Sequence, residues 1–85
     1  LRNLKLIYTE NERWERLLGV QQRLVILLPD SIEEIRDRGL ILAQLEYLRP
    51  ALEDMQRYLV ASPEAGDADE IREHIATLES QSRQN

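Results

Sequence analysis

The sequence predicts an all-α protein: two antiparallel helix hairpins stacked as a solenoid and closed by a C-terminal capping helix. Three observations carry this prediction. Apolar residues recur at helical spacing along the chain, and sustained alternation of the strand type is missing. Prolines and capping residues divide the pattern into five segments. The segments repeat, with a period of 34 residues.

Each segment has its own stripe. Leu1, Leu4 and Tyr8, with Ile7 beside them, form the first. Thr9 and Glu12 offer a capping box before the second helix, Asn11 being an alternative N-cap. Trp14, Leu17, Leu18, Leu24, Val25 and Leu28 then make a second stripe, which Pro29-Asp30-Ser31 stops. Ser31 and Glu34 offer a capping box for the third helix, where Ile35, Leu42 and Leu45 share a face with Gly39. After the short Glu46-Tyr47 connection, Pro50 belongs in the first turn of the fourth helix, where its missing N–H costs nothing. Leu48, Leu52, Met55 and Leu59 form that stripe, and Ser62-Pro63 ends it. Ala65-Gly66 is a loop, Asp67 and Glu70 give the fifth helix an acidic start, and Ile71, Ile75 and Leu78 form its stripe. The tail Ser80 to Asn85 is polar and expected to fray.

Shifting the chain by 34 residues lays Glu12 on Glu46, Gln22 on Gln56, Arg23 on Arg57 and Pro29 on Pro63. Apolar character is kept at Leu6/Leu40, Ile7/Ile41, Tyr8/Leu42, Trp14/Leu48, Leu18/Leu52, Val25/Leu59 and Ile26/Val60. A shift of 36 lays Glu34-Ile35-Arg36-Asp37 on Glu70-Ile71-Arg72-Glu73. The expected organisation is a first repeat over 1–29, a second over 30–63, a capping helix over 67–79 and a tail over 80–85.

Composition excludes several functions. Cysteine is absent, which removes disulfides, thiolate metal sites and a cysteine nucleophile. With no Phe, one Trp and three Tyr, the core must rest on Leu, Ile and Val. The apolar run Leu24 to Pro29 falls far short of the roughly 20 residues of a membrane span, and no signal peptide is visible. Formal charge is −5, and its distribution matters more than its total. Residues 1–61 carry ten acids against nine bases, whereas residues 62–82 carry six acids against Arg72 alone. An acidic cap of this kind is poor equipment for nucleic acid or anionic lipid, and neither is expected as a partner. The chain opens on Leu1 with the apolar spacing already running. It is expected to be a piece of a longer polypeptide, the alternative being a trimmed small protein.

The repeated hairpin resembles the tetratricopeptide repeat, a right-handed solenoid. In that family each first helix carries a small residue and then a large one, each second helix two small ones, and a proline follows. The second repeat supplies Gly39, Leu42, Ala51, Tyr58 and Pro63, and the first supplies Lys5, Tyr8, Leu17, Leu24 and Pro29. Bulky Leu17, Leu24 and Tyr58 depart from the pattern. The resemblance implies a protein-binding groove lined by Glu33, Arg36, Leu40, Ala43 and Gln44 from the second repeat, and by Arg2, Leu6, Thr9 and Glu10 from the first. The Lys/Asn clamp by which some members hold a C-terminal carboxylate is replaced by Leu6 and Leu40.

The segments Asn3-Leu4-Lys5-Leu6-Ile7-Tyr8 and Arg36-Asp37-Arg38-Gly39-Leu40-Ile41-Leu42-Ala43-Gln44-Leu45 resemble, more narrowly, the C-terminal repeat region of bacterial SirB-type transglutaminase-like proteins. That resemblance implies a cytoplasmic protein whose catalytic-type domain precedes Leu1.

Individual residues admit two readings each. Arg36 and Arg38 either grip a partner carboxylate bidentately or pair locally with Glu33, Glu34 and Asp37. Gly39 costs about 1 kcal/mol inside a helix, so a neighbouring helix is expected to approach closely there. His74 and Glu70 are two ligands at best, and no metal or cofactor is expected. Trp14 with Leu17 and Leu18 reads as core or, if exposed, as an interface patch. Ser31, Ser62, Ser80 and Ser82 sit at caps or in the tail without a base nearby, and no glycine-rich phosphate loop occurs, so catalysis by this chain is not expected. The expected function is an interaction module whose first helix presents a docking flank at Leu1 and Leu4, oriented by Arg2 and Arg36. Its partner is the upstream domain of the same polypeptide or another protein, and the alternative is a homodimerising helical scaffold. An enzymatic role survives only as regulation of an upstream Cys–His–Asp site.

Overall fold

The computed structural model describes the backbone of residues 2–84 and the side chains of residues 10–83. Four helices follow one another: α1 (Arg2–Leu27), α2 (Ile32–Gln44), α3 (Leu48–Ala61) and α4 (Ala68–Gln84). Each packs on its chain neighbour, α1 on α2, α2 on α3 and α3 on α4, and the α2–α3 hairpin is the most intimate pair. Among the described residues there is no strand.

Two expected boundaries are corrected. The first two segments form one unbroken helix, so the first repeat is not a hairpin and the capping box at Thr9 and Glu12 does not form. The physical reason is local. No Pro or Gly lies between Leu1 and Leu18, and Thr9 and Asn11 each cost at most about 0.7 kcal/mol in a helix interior. At the other end, α4 continues past the expected stop at Glu79 to Gln84. Nothing in Ser80 to Arg83 breaks a helix, and Arg83 in the last turn complements the helix dipole.

The α2–α3 turn shows what a real stop requires. Leu45 caps α2, Glu46 takes a left-handed φ of 61°, and the Glu46 and Tyr47 N–H groups donate back to the carbonyls of Ala43 and Leu42. This is a Schellman motif with Glu where glycine is usual. Pro50 falls in the first turn of α3, as its chemistry requires. The second expected capping box is absent. Ser31 is the N-cap of α2 but makes no capping bond, and its hydroxyl donates weakly to Glu33 at 3.4 Å. Glu34 faces α1 instead. The buried Gln21 side-chain amide donates to both the Glu34 carboxylate and the Glu34 carbonyl, each at 2.9 Å.

The core runs through all four helices: Leu18 from α1, Ile41 and Leu42 from α2, Ala51, Met55 and Tyr58 from α3, Ile71 and Leu78 from α4. Gly39 sets its closest approach, as expected. A Cβ there would lie 3.0 Å from Asp54 Cβ, 3.3 Å from Met55 Cγ and 3.4 Å from the Ala51 carbonyl oxygen. Beside it, Arg38 Nε and Nη2 donate to the two carboxylate oxygens of buried Asp54 at 2.8 and 2.9 Å.

Two substitutions probe this hairpin. Gly39→Ala is expected to lower unfolding free energy by about 1 kcal/mol in urea titrations, because overpacking outweighs the helix-propensity gain. Glu46→Gly is expected to raise it by about 1 kcal/mol in the same titrations, by relieving the left-handed conformation.

Candidate functional site

The α2 residues expected to line a groove do share one side of the helix, but they differ in availability. Glu33 and Gln44 are exposed, while Arg36, Leu40 and Ala43 are half-buried, the last two against the core. Glu10 of α1 is exposed. Leu1 lies outside the described residues, and so do the side chains of Arg2, Leu4, Leu6 and Thr9.

Both arginines are committed within the fold. Arg36 pairs locally with Asp37 at 2.9 Å, but its Nη1 also donates to Asp67 at the start of α4, 3.1 Å away. Its guanidinium lies 5.4 Å from the centre of the Tyr58 ring. The Tyr58 hydroxyl donates to the other Asp67 oxygen at 2.6 Å. Arg38 pairs with Asp54 rather than with its own helix, correcting the expectation of local pairing. The Tyr58 hydroxyl, seconded by Arg36, holds the Asp67 carboxyl below its ordinary value, while Asp67 in turn pushes the Tyr58 phenol up. Three elements thus meet on one carboxylate: α2, α3 and the start of α4.

Two of the expected groove residues, Glu10 and Gln44, come together in a cleft of about 270 Å³ with Arg13, Trp14 and Leu17. Trp14 is half-buried: it packs against the core, as its first reading has it, and also lines this cleft. Arg13 and Leu17, which also line this cleft, were not among the expected groove residues. Leu17 looked like core because its position on the apolar stripe is sound, yet it is 47% exposed. Val20 (54%) and Leu27 (73%) extend the exposed apolar surface along α1. His74 is exposed on α4 beside Glu70, Glu73 and Thr77. Among the described residues, no group of three His, Asp or Glu side chains is placed to hold a metal ion. No described helix is long and apolar enough to cross a membrane.

Stacked helix hairpins with a tight glycine contact, each helix against its neighbour, define a class of helical repeat protein. The chain belongs to the tetratricopeptide repeat family, whose profile matches residues 4–76. It is 38% identical over 78 residues to a UPF0162 protein of Xylella fastidiosa, covering 92% of this chain and 28% of that protein. It is 38% identical over 78 residues to protein SirB1 of Salmonella typhimurium, covering 92% of this chain and 29% of that protein. The UPF0162 protein YchA of Escherichia coli is 36% identical over a stretch of the same length, again 92% of this chain and 29% of the relative. The chain thus spans less than a third of these bacterial relatives. No solved structure matches it.

The Asp67 junction makes stability pH-dependent. A carboxyl whose folded value is lowered contributes fully above its ordinary value of 3.8, and that contribution is lost as pH falls through the lower folded value. Asp67→Asn is therefore expected to melt at a lower temperature than the parent at neutral pH. The gap between the two should narrow in melts as pH falls below 3.8.

Proposed function

We propose that this domain is a protein-binding module, non-catalytic by itself, which docks against the remainder of its own polypeptide in the bacterial cytoplasm. The remainder is proposed to be a transglutaminase-like domain preceding it, with the repeats as the C-terminal part. What carries this reading is the cleft between α1 and the end of α2. Trp14 and Leu17 offer it apolar surface, and Glu10, Arg13 and Gln44 supply polar groups at its lips. An aromatic anchor with a polar rim is the usual anatomy of an interaction hot spot. Membership of the tetratricopeptide family and the short share of each relative that this chain covers both support it.

The groove implied by the family pattern contributes less than the sequence suggested. Arg36 is engaged with Asp37 and Asp67, so a partner's carboxylate would have to compete with both ion pairs for it. Arg13 takes that place: it is exposed and makes no ion pair among the described residues.

The test supplies the rest of the Xylella relative, without its repeat segment, as a separate chain. Co-elution with this domain and a shift in Trp14 emission are expected. Leu17→Asp should weaken binding at least tenfold while leaving the circular dichroism spectrum intact. Separate elution with unchanged emission would overturn the reading. A doubled mass of the domain alone would favour the homodimerising scaffold instead.

A further inference from the structure

A second cavity, of about 360 Å³, lies where α1, α2 and α3 meet, and it shares no residue with the Trp14 cleft. Leu18, Leu42 and Pro50 give it apolar surface, and Arg38, Glu53 and Asp54 give it charged groups. Tyr47 also lines it, and the Tyr47 hydroxyl donates to Glu15 of α1 at 2.6 Å, tying α1 to the N-terminal end of α3.

The fold does not use up these charged groups. The fork to Asp54 takes Nε and Nη2 of Arg38, and Nη1 makes no hydrogen bond among the described residues. No buried side-chain nitrogen or oxygen is left without a partner there, so Nη1 belongs to the quarter of this side chain that meets solvent. Glu53 is exposed and stands one helical turn from both Arg49 and Arg57, yet among the described residues it pairs with neither. The cavity thus holds one unclaimed donor and one unclaimed, charged acceptor. Gln22 adds a neutral amide to its wall.

These groups select a ligand chemistry. Asp54 already occupies the bidentate edge of Arg38, and the nitrogen that remains suits a single oxygen. A carboxylate placed there would face Asp54 and Glu53, and a cation would face Arg38. A neutral amide avoids both conflicts, because its oxygen accepts from Arg38 while its N–H donates to Glu53. We propose that this cavity is a binding site for a primary carboxamide, the side chain of a glutamine or asparagine on a partner protein, with its methylene carbons against Leu18, Leu42 and Pro50. A main-chain amide continues in both directions, whereas a side-chain amide is terminal and enters a cavity of this size end-on. The inference is independent of the reading of the Trp14 cleft, since either site can be occupied without the other.

The test is an NMR titration of the isotope-labelled chain at neutral pH. The probes are the N-acetyl methylamides of glutamine and asparagine, against those of glutamate, aspartate and lysine, so that all share the same caps. At least one amide probe is expected to shift the Arg38 Nε–H and Glu53 signals saturably in the millimolar range, the scale for a ligand of so few atoms. It should bind about threefold or more tightly than its isosteric acid and than the lysine probe. Glu53→Gln exchanges a pure acceptor for a group that also donates, at an exposed position where the circular dichroism spectrum should not change. In that variant the preference for amide over acid is expected to vanish. Absence of any saturable shift, shifts confined to the Trp14 cleft, or equal or tighter binding of an acid or of the lysine probe would overturn the proposal. A preference that survives Glu53→Gln unchanged would overturn it as well.

Discussion

The fork between Arg38 and Asp54 is the contact on which the remaining geometry depends. Asp54 is only 5% exposed, and a carboxylate so buried must be paired. Arg38 satisfies both of its oxygens at once, which fixes α2 against α3 in rotation as well as in distance. The two helices can come close enough only because position 39 has no side chain and position 51 carries a single methyl. Small residues and a buried ion pair are thus one device. The glycine permits the approach, and the approach shields the pair from water. The neighbours are arranged around this hairpin, α1 held to α2 through Gln21 and Glu34, and α4 held through Asp67.

Much of this was legible in the sequence, and the rest failed for identifiable reasons. Pro50, Pro63 and Gly39 act through backbone sterics, which travel with the residue, so the α2–α3 hairpin was readable. The Ser31–Glu34 capping box did not survive because Glu34 had a tertiary alternative in Gln21, and a short motif records nothing about such competitors. Arg38 was assigned to its own helix for the same reason. Its true partner is 16 residues away, and sequence separation does not reveal which faces will meet. The unbroken α1 is a different kind of miss. The expected break before the second helix rested on capping residues at Thr9 and Asn11, but no proline stands there like the Pro50 that follows the second turn. Of the residues lining the cleft, Glu10 and Gln44 were among those the family pattern implied for a groove. Arg13 and Leu17 were not, because exposure at the end of a stack is a property of neighbours and not of the stripe itself.

Tyr58 illustrates how a departure from the family pattern is accommodated. A large ring stands where a small residue is usual, and it is nonetheless 3% exposed. Its hydroxyl avoids an unsatisfied burial by reaching Asp67, and its face receives the Arg36 guanidinium. The bulk that should have loosened the hairpin therefore becomes the link to α4. Asp67 gains twice from its position. It lies at the N-terminal end of α4, where the helix dipole favours a negative charge, and it accepts from Tyr58 and Arg36 in addition.

The two ends of the stack differ in a way that gives any docking a direction. Past Asp67, α4 buries Ile71 and Leu78 inward and turns Asp69, Glu70, Glu73 and His74 to water. An acidic, well-solvated outer face of this kind resists apolar contact and repels a second acidic end. At the opposite end, α1 leaves Leu17, Val20 and Leu27 open, with Arg13, Arg16 and Arg23 exposed along the same helix. The net negative charge of the chain is concentrated in residues 62–82, so the apolar end is also the less acidic one. For the docking proposed above, burial would favour α1 as the receiving surface and the acidic face of α4 would disfavour the other end. The terminal helices have opposite roles because one repeat-like unit finishes the stack while the other leaves a face unsatisfied.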